Sequence, residues 1–187
     1  MRKLSSFIQV TLDGCFAGPN GELDWAHKDP ADTEWNAFVT ENAKGGGALL
    51  FGRKTYEMMA GYWPTPMAAQ QNPVVAERMN ALPKFVFSRT LDKASWSNTV
   101  ILKGDLAEET RKLKDTTGPD IAILGSGSIV TQLAQAKLID GFQIVVCPLV
   151  LGPGKRLFDG AGETLDLQLT QSRAFGNGSV LLSYAPA

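Results

Sequence analysis

The sequence predicts an α/β domain on a mixed β-sheet, mostly parallel, with antiparallel strands towards the carboxyl terminus. Short apolar runs alternate with amphipathic segments as far as residue 140, as in parallel strands joined by helices. After residue 140, three strand-like runs are joined by connections too short for crossover helices, which favours antiparallel pairing. The 187 residues show no repeat or linker and suffice for one well-filled core. We therefore expect a single domain over residues 1–187.

The individual elements follow from hydrophobic period and from turn residues. The predicted strands are residues 4–12, 48–51, 84–88, 99–102, 121–124, 142–151, 165–172 and 179–184. The predicted helices cover residues 53–59, 73–79, 105–114 and 128–137, and a further helix begins within residues 29–32.

That further helix has a recognisable start. Asp29 is a suitable N-cap, Pro30 suits the first turn, and Asp32 adds an acidic residue in that turn. Trp35 and Phe38 then recur at helical spacing, so one face of the helix is buried. Residues 62–66, with two prolines, are predicted to be irregular.

Two strand-to-helix junctions carry glycine together with hydroxyl or cationic residues. Residues 121–130 run from an apolar strand through Gly125-Ser126-Gly127-Ser128 into a helix, and residues 49–55 repeat the arrangement with Gly52-Arg53-Lys54-Thr55. Glycine admits close approach of a ligand, and the free N–H groups of a helix start attract anions. A pair of such turns suggests a dinucleotide. The alternative for each is a simple tight turn.

Two familiar phosphate motifs do not fit. The Rossmann fingerprint requires a third glycine where Val130 stands. Residues 47–52 have the glycine spacing of a P-loop, but Arg53 replaces its lysine and the intervening residues read as a buried strand.

The cationic and hydroxyl residues follow three predicted parallel strands, at the sheet edge where open α/β folds bind ligands. Ser88-Arg89-Thr90 follows the strand between the two glycine junctions. The planar guanidinium of arginine suits a phosphate monoester, with serine or threonine completing the contacts, and an adenosine 2′-phosphate is the candidate ligand. The alternative for each arginine is a solvated surface residue.

Composition excludes several other classes. The formal net charge of −1, with dispersed lysines and arginines, predicts no binding to nucleic acid or to acidic membranes. Cys15 and Cys147, the only cysteines, lack the spacing of a disulfide framework or zinc site, and we expect no metal. No apolar run reaches transmembrane length and no signal peptide is apparent. We expect a cytoplasmic protein with a small-molecule ligand.

Residues 50–57, 87–90 and 124–129 resemble, in order and spacing, the three NADPH-binding segments of the dihydrofolate reductase superfamily. Residues 6–14 and 146–158 resemble more specifically the reductase domain of the bifunctional riboflavin-biosynthesis deaminase-reductase, in its stand-alone form. This resemblance implies a three-layer α-β-α dihydrofolate reductase-like fold, NADPH as cofactor, a homodimer, and reduction of a pyrimidine or pteridine-type heterocycle.

The resemblance also assigns roles along the cofactor. It places the pyrophosphate and adenosine side on Gly52, Arg53, Lys54 and Thr55. It places the 2′-phosphate on Ser88, Arg89 and Thr90. It places the pyrophosphate and nicotinamide ribose over Gly125, Ser126, Gly127, Ser128 and Ile129. The nicotinamide is then lined by the loop that begins at Val10 and ends at Gly18.

Hydride transfer needs a proton from a positioned acid or an ordered water. The acid candidates are Asp32, which resembles the acidic residue at a helix start in dihydrofolate reductases, and Asp13. Their alternatives are a first-turn residue that complements the helix dipole and a turn residue, respectively.

Flat aromatic side chains are candidates for stacking on the heterocycle. These are Trp25, Tyr56 and Trp63, whose alternative is a place in the core or at its rim. In one respect the chain departs from the riboflavin enzyme: residues 34–43 hold neither the arginine nor the histidine that lie near the substrate phosphate there.

Three functions remain open. The first is an NADPH-dependent reductase similar to 5-amino-6-(5-phosphoribosylamino)uracil reductase. The second is a dihydrofolate reductase-type activity, and the third is a non-catalytic NADPH-binding protein.

Overall fold

A computed structural model describes residues 1–45 and 47–187. The strands are β1 Leu4–Thr11, β2 Cys15–Ala17, β3 Ala48–Gly52, β4 Lys84–Phe87, β5 Thr99–Leu102, β6 Ile121–Leu124, β7 Gly141–Cys147, β8 Lys155–Arg156, β9 Leu167–Ala174 and β10 Val180–Pro186. The helices are α1 Thr33–Lys44, α2 Arg53–Tyr62, α3 Pro66–Gln71, α4 Pro73–Ala81, α5 Leu106–Asp115 and α6 Gly127–Gln135, with a 3-10 turn at Asp24–Ala26.

Eight strands form one mixed sheet in the order β5-β4-β3-β6-β1-β7-β10-β9. The pairs from β5 to β7 are all parallel. Strand β10 is antiparallel to both β7 and β9, so the predicted mixed sheet with an antiparallel end is confirmed. The short strands β2 and β8 pair separately with each other.

Apolar clusters on both faces of the sheet bury the parallel strands, as continuous apolar runs require. One cluster joins Leu4, Leu50 and Ile123 to Val130 and Leu133 of α6. A second packs β3 and β4 against α2 and α4. A third, built around Trp35 of α1, covers β7 and β10. The sheet is thus sandwiched between two helical layers, as predicted.

Three local predictions were wrong. Helix α1 begins after Asp32 rather than Asp29, because Asp32 accepts the capping hydrogen bond from the Trp35 N–H at 2.9 Å. Of the predicted irregular residues 62–66 only 63–65 are irregular, because Tyr62 ends α2 and Pro66 begins helix α3, which Thr65 caps. Strand β7 ends at Cys147, four residues before the predicted end at residue 151.

Candidate cofactor cleft

The three predicted cofactor motifs lie side by side at one edge of the sheet. Strands β4, β3 and β6 are consecutive and parallel, so their carboxyl ends open onto the same edge. The turns after them hold Ser88, Gly52 and Gly125, respectively. Strand β1 comes next in the order and carries the loop after Thr11 to this edge. The sheet therefore brings four loops to one edge, which is called the cofactor cleft below.

The two helices that begin at the glycine turns, α2 and α6, have starts without a side-chain cap. Helix α2 has Gly52 at its N-cap position and α6 has Ser126, and neither side chain satisfies the first-turn amides. Helices α1, α3 and α5 are capped by Asp32, Thr65 and Asp105, and α4 also lacks a side-chain cap. Amides left open at a helix start, together with the helix dipole, form a binding site for an anion.

The two glycine turns are fastened to each other. The Gly52 N–H donates to Ser126 Oγ at 3.0 Å, and Ser126 Oγ donates in turn to the Leu124 carbonyl at 3.0 Å. Gly125 and Ser126 adopt left-handed backbone conformations, with φ of 53° at both. That geometry suits glycine and is rare for other residues. It turns the chain sharply enough to start α6 directly behind β6.

The third motif, Ser88-Arg89-Thr90, contacts the glycine turns through Arg53 of α2. Its guanidinium hydrogen-bonds Thr90 across the gap between the β3 and β4 turns, and its Nε donates to Glu57 at 2.8 Å. Ser88 Oγ closes its own turn by accepting the Leu91 N–H at 2.9 Å. Arg89 is exposed at the tip of this turn.

Two cationic side chains of the predicted cofactor motifs can bind a ligand. Lys54 and Arg89 are exposed and make no ion pair with a residue that the structure describes. Thr55 is half-buried and packs beside Gly125: a Cβ added to Gly125 would lie 3.5 Å from Thr55 Cγ2. Ser128 is exposed in the first turn of α6, whereas Ile129 packs beside Gly52. The residues present therefore fit a ligand with anionic groups along this edge.

The loop between β1 and β2 lies against the start of α6. A Cβ on Gly127 would come within 2.5 Å of the Phe16 ring, so this aromatic packs directly on the glycine backbone. Val10 is buried within β1, and Gly18 closes a turn by donating its N–H to the Glu22 carbonyl at 2.9 Å. No separate sequence signal marks Phe16, although it lies inside the predicted nicotinamide loop.

Asp13 serves as a clamp between two loops. Its carboxylate accepts hydrogen bonds from Thr11 Oγ1 at 2.6 Å and from the N–H groups of Leu151 and Gly152 at 3.1 and 2.9 Å. These donors, Thr11 first, hold the pKa of the Asp13 carboxyl far below its usual range. An ionised carboxylate is a poor proton donor, so the contacts favour the turn-residue interpretation.

Asp32 caps α1 and also accepts from Asn177 Nδ2 at 2.7 Å. The Trp35 N–H and then Asn177 lower the pKa of its carboxyl. Asp32 is therefore the N-cap of α1, whereas the alternative expected for it was a first-turn residue, and its catalytic role stays a prediction.

Two of the three predicted stacking residues are misplaced for that role. Tyr56 is 1% exposed and sits between Phe51 and Trp96 in the core, with its hydroxyl accepting the Trp96 N–H at 3.0 Å. Trp63 follows α2, whose 10 residues run back from the cleft edge for about 15 Å. Its indole N–H donates to Met59 Sδ at 3.0 Å. Neither ring faces the cleft, because one points at the sheet and the other lies beyond the far end of the helix.

Trp25 is half-buried and packs against the cluster around Trp35, beside β7. This cluster lies on the side of the cleft away from the cofactor motifs, so stacking by Trp25 stays a prediction. A cavity of about 430 Å³ lies elsewhere, between α1 and the start of α4, and shares no residue with the glycine turns.

A polar group near Trp25 was missed by the sequence reasoning. Lys28 Nζ donates to Cys147 Sγ at 3.2 Å, and the Cys147 thiol donates to Gln9 Oε1 at 3.6 Å. Gln9 is a polar residue between Ile8 and Val10 in β1, which was the one available signal. Lys28 lies in a loop whose path the sequence alone does not define.

Two further properties concern the described residues as a set. No group of three or more histidine, cysteine, aspartate or glutamate side chains among them is arranged to hold a metal ion. No helix within residues 1–45 or 47–187 combines the length and apolarity needed to cross a membrane.

Comparison with solved structures shows which fold this is. The fold is similar to that of a putative riboflavin biosynthesis protein from Shewanella sp. PV-4, with a TM-score of 0.70 and 23% identity over 99% of both chains. It is also similar to the deaminase/5-amino-6-(5-phosphoribosylamino)uracil reductase from Thermotoga maritima, with a TM-score of 0.64 and 13% identity. That match covers 100% of this chain and 57% of the Thermotoga chain. The fold is that of the riboflavin-type reductase domain, as predicted.

Sequence comparison then gives the family. The model of the RibD C-terminal domain matches residues 2–181. The protein YyaP of Bacillus subtilis (strain 168) is 31% identical over 183 residues, which is 98% of this chain and 94% of YyaP. The chain belongs to the RibD C-terminal domain family, a family of riboflavin-pathway-type reductases.

Proposed function

We propose that this protein is an NADPH-dependent reductase of a pyrimidine or pteridine-type heterocycle. The observation that carries the proposal is the pair of uncapped helix starts at Gly52 and Ser126, joined by a hydrogen bond on neighbouring parallel strands. Such a pair suits the two phosphates of a dinucleotide. Membership of a reductase family supports the reaction type.

The cleft offers a distinct group to each part of the cofactor. The amides at the starts of α2 and α6 bind the pyrophosphate, with Lys54 as a nearby counter-charge. Arg89 and Thr90, at the outer end, bind the adenosine 2′-phosphate. NADPH, when bound, supplies a hydride to an electrophilic carbon of the substrate. The loop from Val10 to Gly18 covers the inner end and limits access of water.

The cofactor assignment is tested by nucleotide binding. Arg89→Ala is expected to weaken NADPH binding by about 10- to 100-fold, the range for a lost hydrogen bond to a charged group, while NADH binding changes little. Arg111→Ala, at an exposed arginine of α5, is the matched control. Calorimetry gives the dissociation constant of each of the two variants for each of the two nucleotides. Equal loss of NADPH and NADH binding in Arg89→Ala contradicts a 2′-phosphate role.

The proton comes from Asp32 or from an ordered water, and two substitutions of Asp32 separate these. Asp32→Ser keeps a good helix N-cap and removes the carboxyl, whereas Asp32→Ala removes both. Loss of turnover in Asp32→Ser with wild-type thermal stability identifies an acid. Retained turnover in Asp32→Ser identifies a cap and leaves the proton to water.

The second candidate is a nucleotide-binding protein without chemistry, because the carboxylates of both acid candidates, Asp13 and Asp32, are engaged in hydrogen bonds within the protein. A screen of NADPH oxidation separates the two. The substrates are 5-amino-6-(5-phosphoribosylamino)uracil, its dephosphorylated form, dihydrofolate and related pteridines. Turnover of a uracil or pteridine compound supports the reductase, and turnover of dihydrofolate identifies a dihydrofolate reductase-type activity. Tight NADPH binding with no turnover on any compound supports the alternative.

A homodimer in the cytoplasm completes the proposal. Strand β9 is an edge of the large sheet, and seven of its eight residues are exposed, with Leu169 52% exposed. An unpaired edge of this kind is suited to a partner strand. Sedimentation equilibrium tests the assembly, and a monomer at all concentrations contradicts it.

A further inference from the structure

A segment outside the predicted cofactor motifs wraps around the loop between β1 and β2, at the inner end of the cofactor cleft. Residues 151–158 are called the strap below. Strand β8 of the strap pairs with β2, and the Leu157 N–H donates to the Gly14 carbonyl at 2.8 Å. A Cβ added to Gly154 would lie 2.8 Å from the Ala17 carbonyl oxygen, so the strap lies directly against the backbone of the loop.

The strap also contacts the start of α6. The Phe158 N–H donates to Thr131 Oγ1 at 3.2 Å, and the Thr131 hydroxyl donates to the Gly127 carbonyl at 3.0 Å. Gly127 is also the residue on which the Phe16 ring packs. The loop, the strap and the first turn of α6 therefore contact one another pairwise.

Asp13 and Thr11 join the loop to the strap by hydrogen bonds. The Asp13 carboxylate accepts two backbone N–H groups of the strap and the hydroxyl of Thr11. Thr11 is 1% exposed, and its hydroxyl oxygen accepts the Cys15 N–H at 2.9 Å. Cys15 directly precedes Phe16. One line of hydrogen bonds therefore runs from the strap, through a carboxylate and a hydroxyl, to the backbone that carries the ring on α6.

The Asp13 carboxylate is the part of this line that a neutral group cannot replace. Hydrogen bonds to an ionised acceptor are about twice as strong as those between neutral groups. An amide in its place has one oxygen instead of two, and its N–H₂ group faces an N–H of the strap in either orientation. The attachment of the loop to the strap therefore depends on the carboxylate.

We propose that Asp13 is a positioning residue for the nicotinamide half of the cofactor, because it fastens the loop to the strap in the conformation that binds the ring. The inference rests on the proposed function and names a residue that prepares one end of the same cleft. A loop that is ordered before binding lowers the entropic cost of binding, and the apparent affinity falls with the fraction of molecules in the binding conformation. Asp13 therefore affects the Kd of a nucleotide that carries nicotinamide and leaves that of a nucleotide without the ring unchanged.

Calorimetry with two nucleotides tests the proposal without turnover. The probes are NADP⁺ and 2′-phospho-ADP-ribose, which lacks only the nicotinamide ring. Asp13→Asn is expected to raise the Kd of NADP⁺ about tenfold, the factor for a protein in which about one tenth of the molecules keep the binding conformation. The Kd of 2′-phospho-ADP-ribose is expected to stay within about twofold of wild type, since its contacts are with the other loops. Asp115→Asn, at an exposed carboxylate that ends α5, is the matched control and should leave both constants unchanged.

A second pair of variants interrupts the same line of hydrogen bonds and leaves the carboxylate in place. Thr11→Val removes the hydroxyl, whereas Thr11→Ser keeps it. NADP⁺ binding should weaken in Thr11→Val and stay near wild type in Thr11→Ser, a rescue that a general loss of packing does not produce. Circular dichroism and thermal melting establish that the variants are folded, and this pair decides the proposal should Asp13→Asn fail to fold.

Each outcome supports or overturns the positioning role. NADP⁺ binding that is unchanged in folded Asp13→Asn and Thr11→Val overturns it, as does an equal loss of binding for the two nucleotides. Loss of turnover in Asp13→Asn with unchanged NADP⁺ binding makes Asp13 the proton donor instead and overturns it as well.

The wild type separates this failure from failure of the proposed function. A wild type that binds neither nucleotide contradicts the NADPH cofactor itself. A wild type that binds both, with constants that the Asp13 and Thr11 variants leave unchanged, contradicts the positioning role alone.

Discussion

Replacing Tyr56 by phenylalanine separates a core residue from a substrate-binding one. The Tyr56 side chain is 1% exposed, and its hydroxyl is the acceptor for the buried backbone N–H of Trp96 at 3.0 Å. Phenylalanine keeps the ring contacts with Phe51 and Trp96 but leaves that N–H without a partner. A buried donor left unsatisfied costs about 1–3 kcal/mol of folding free energy.

For a chain of this length, each kcal/mol lowers the melting temperature by roughly 2–4 °C. Tyr56→Phe is therefore expected to melt about 2–12 °C below wild type, with NADPH and heterocycle binding unchanged. Urea denaturation gives the free energy, and an unchanged m-value shows that only stability has moved. Tyr62→Phe is the matched control, since the Tyr62 hydroxyl makes only an exposed hydrogen bond, to Gln71. Wild-type stability together with weakened heterocycle binding in Tyr56→Phe refutes the core assignment.

Two further predictions concern buried contacts. Lys84 is fully buried, donates to three carbonyl oxygens, and has a pKa lowered by burial to about 8. An unfolded lysine has a pKa of about 10.4, so between pH 8 and that value the unfolded chain binds more protons than the folded one. The free energy of unfolding of the wild type should therefore rise over this pH range relative to that of Lys84→Met. A difference between the two proteins that stays constant with pH in urea denaturation contradicts this. Gly127→Ala should cost about 1–3 kcal/mol by overpacking against Phe16. Adding Phe16→Ala should recover part of that loss, and strict additivity in the double-mutant cycle argues against the contact.

Much of the fold could be predicted because its signals are local. Strand β5 and strand β6 were predicted to the residue, since short apolar runs bounded by turn residues define both ends. The N-cap of α1 was predicted at Asp29 rather than Asp32, because the residue types of both suit an N-cap. Asn177, 145 residues away, holds the Asp32 carboxylate, and no local pattern contains that contact.

The candidate site divides in the same way. The glycine turns were found from sequence because a strand, a turn and a helix start are contiguous in the chain. Tyr56 was misjudged as a stacking residue because the direction of its side chain depends on which face of α2 meets the sheet. Trp63 was misjudged because its distance from the cleft depends on the length and direction of α2. The hydrogen bonds that join Gln9, Lys28 and Cys147 were missed because these residues come from three distant segments.

The α/β class, most of the strands and helices, the family and the glycine turns that can meet phosphate could all be read from the amino-acid sequence. Each of these depends on residues that are neighbours in the chain. The hydrogen bonds that hold the Asp13 and Asp32 carboxylates and the burial of Tyr56 became known only from the folded structure. These depend on burial and on contacts between remote segments, and both exist only once the sheet has formed and the helices have packed on its two faces.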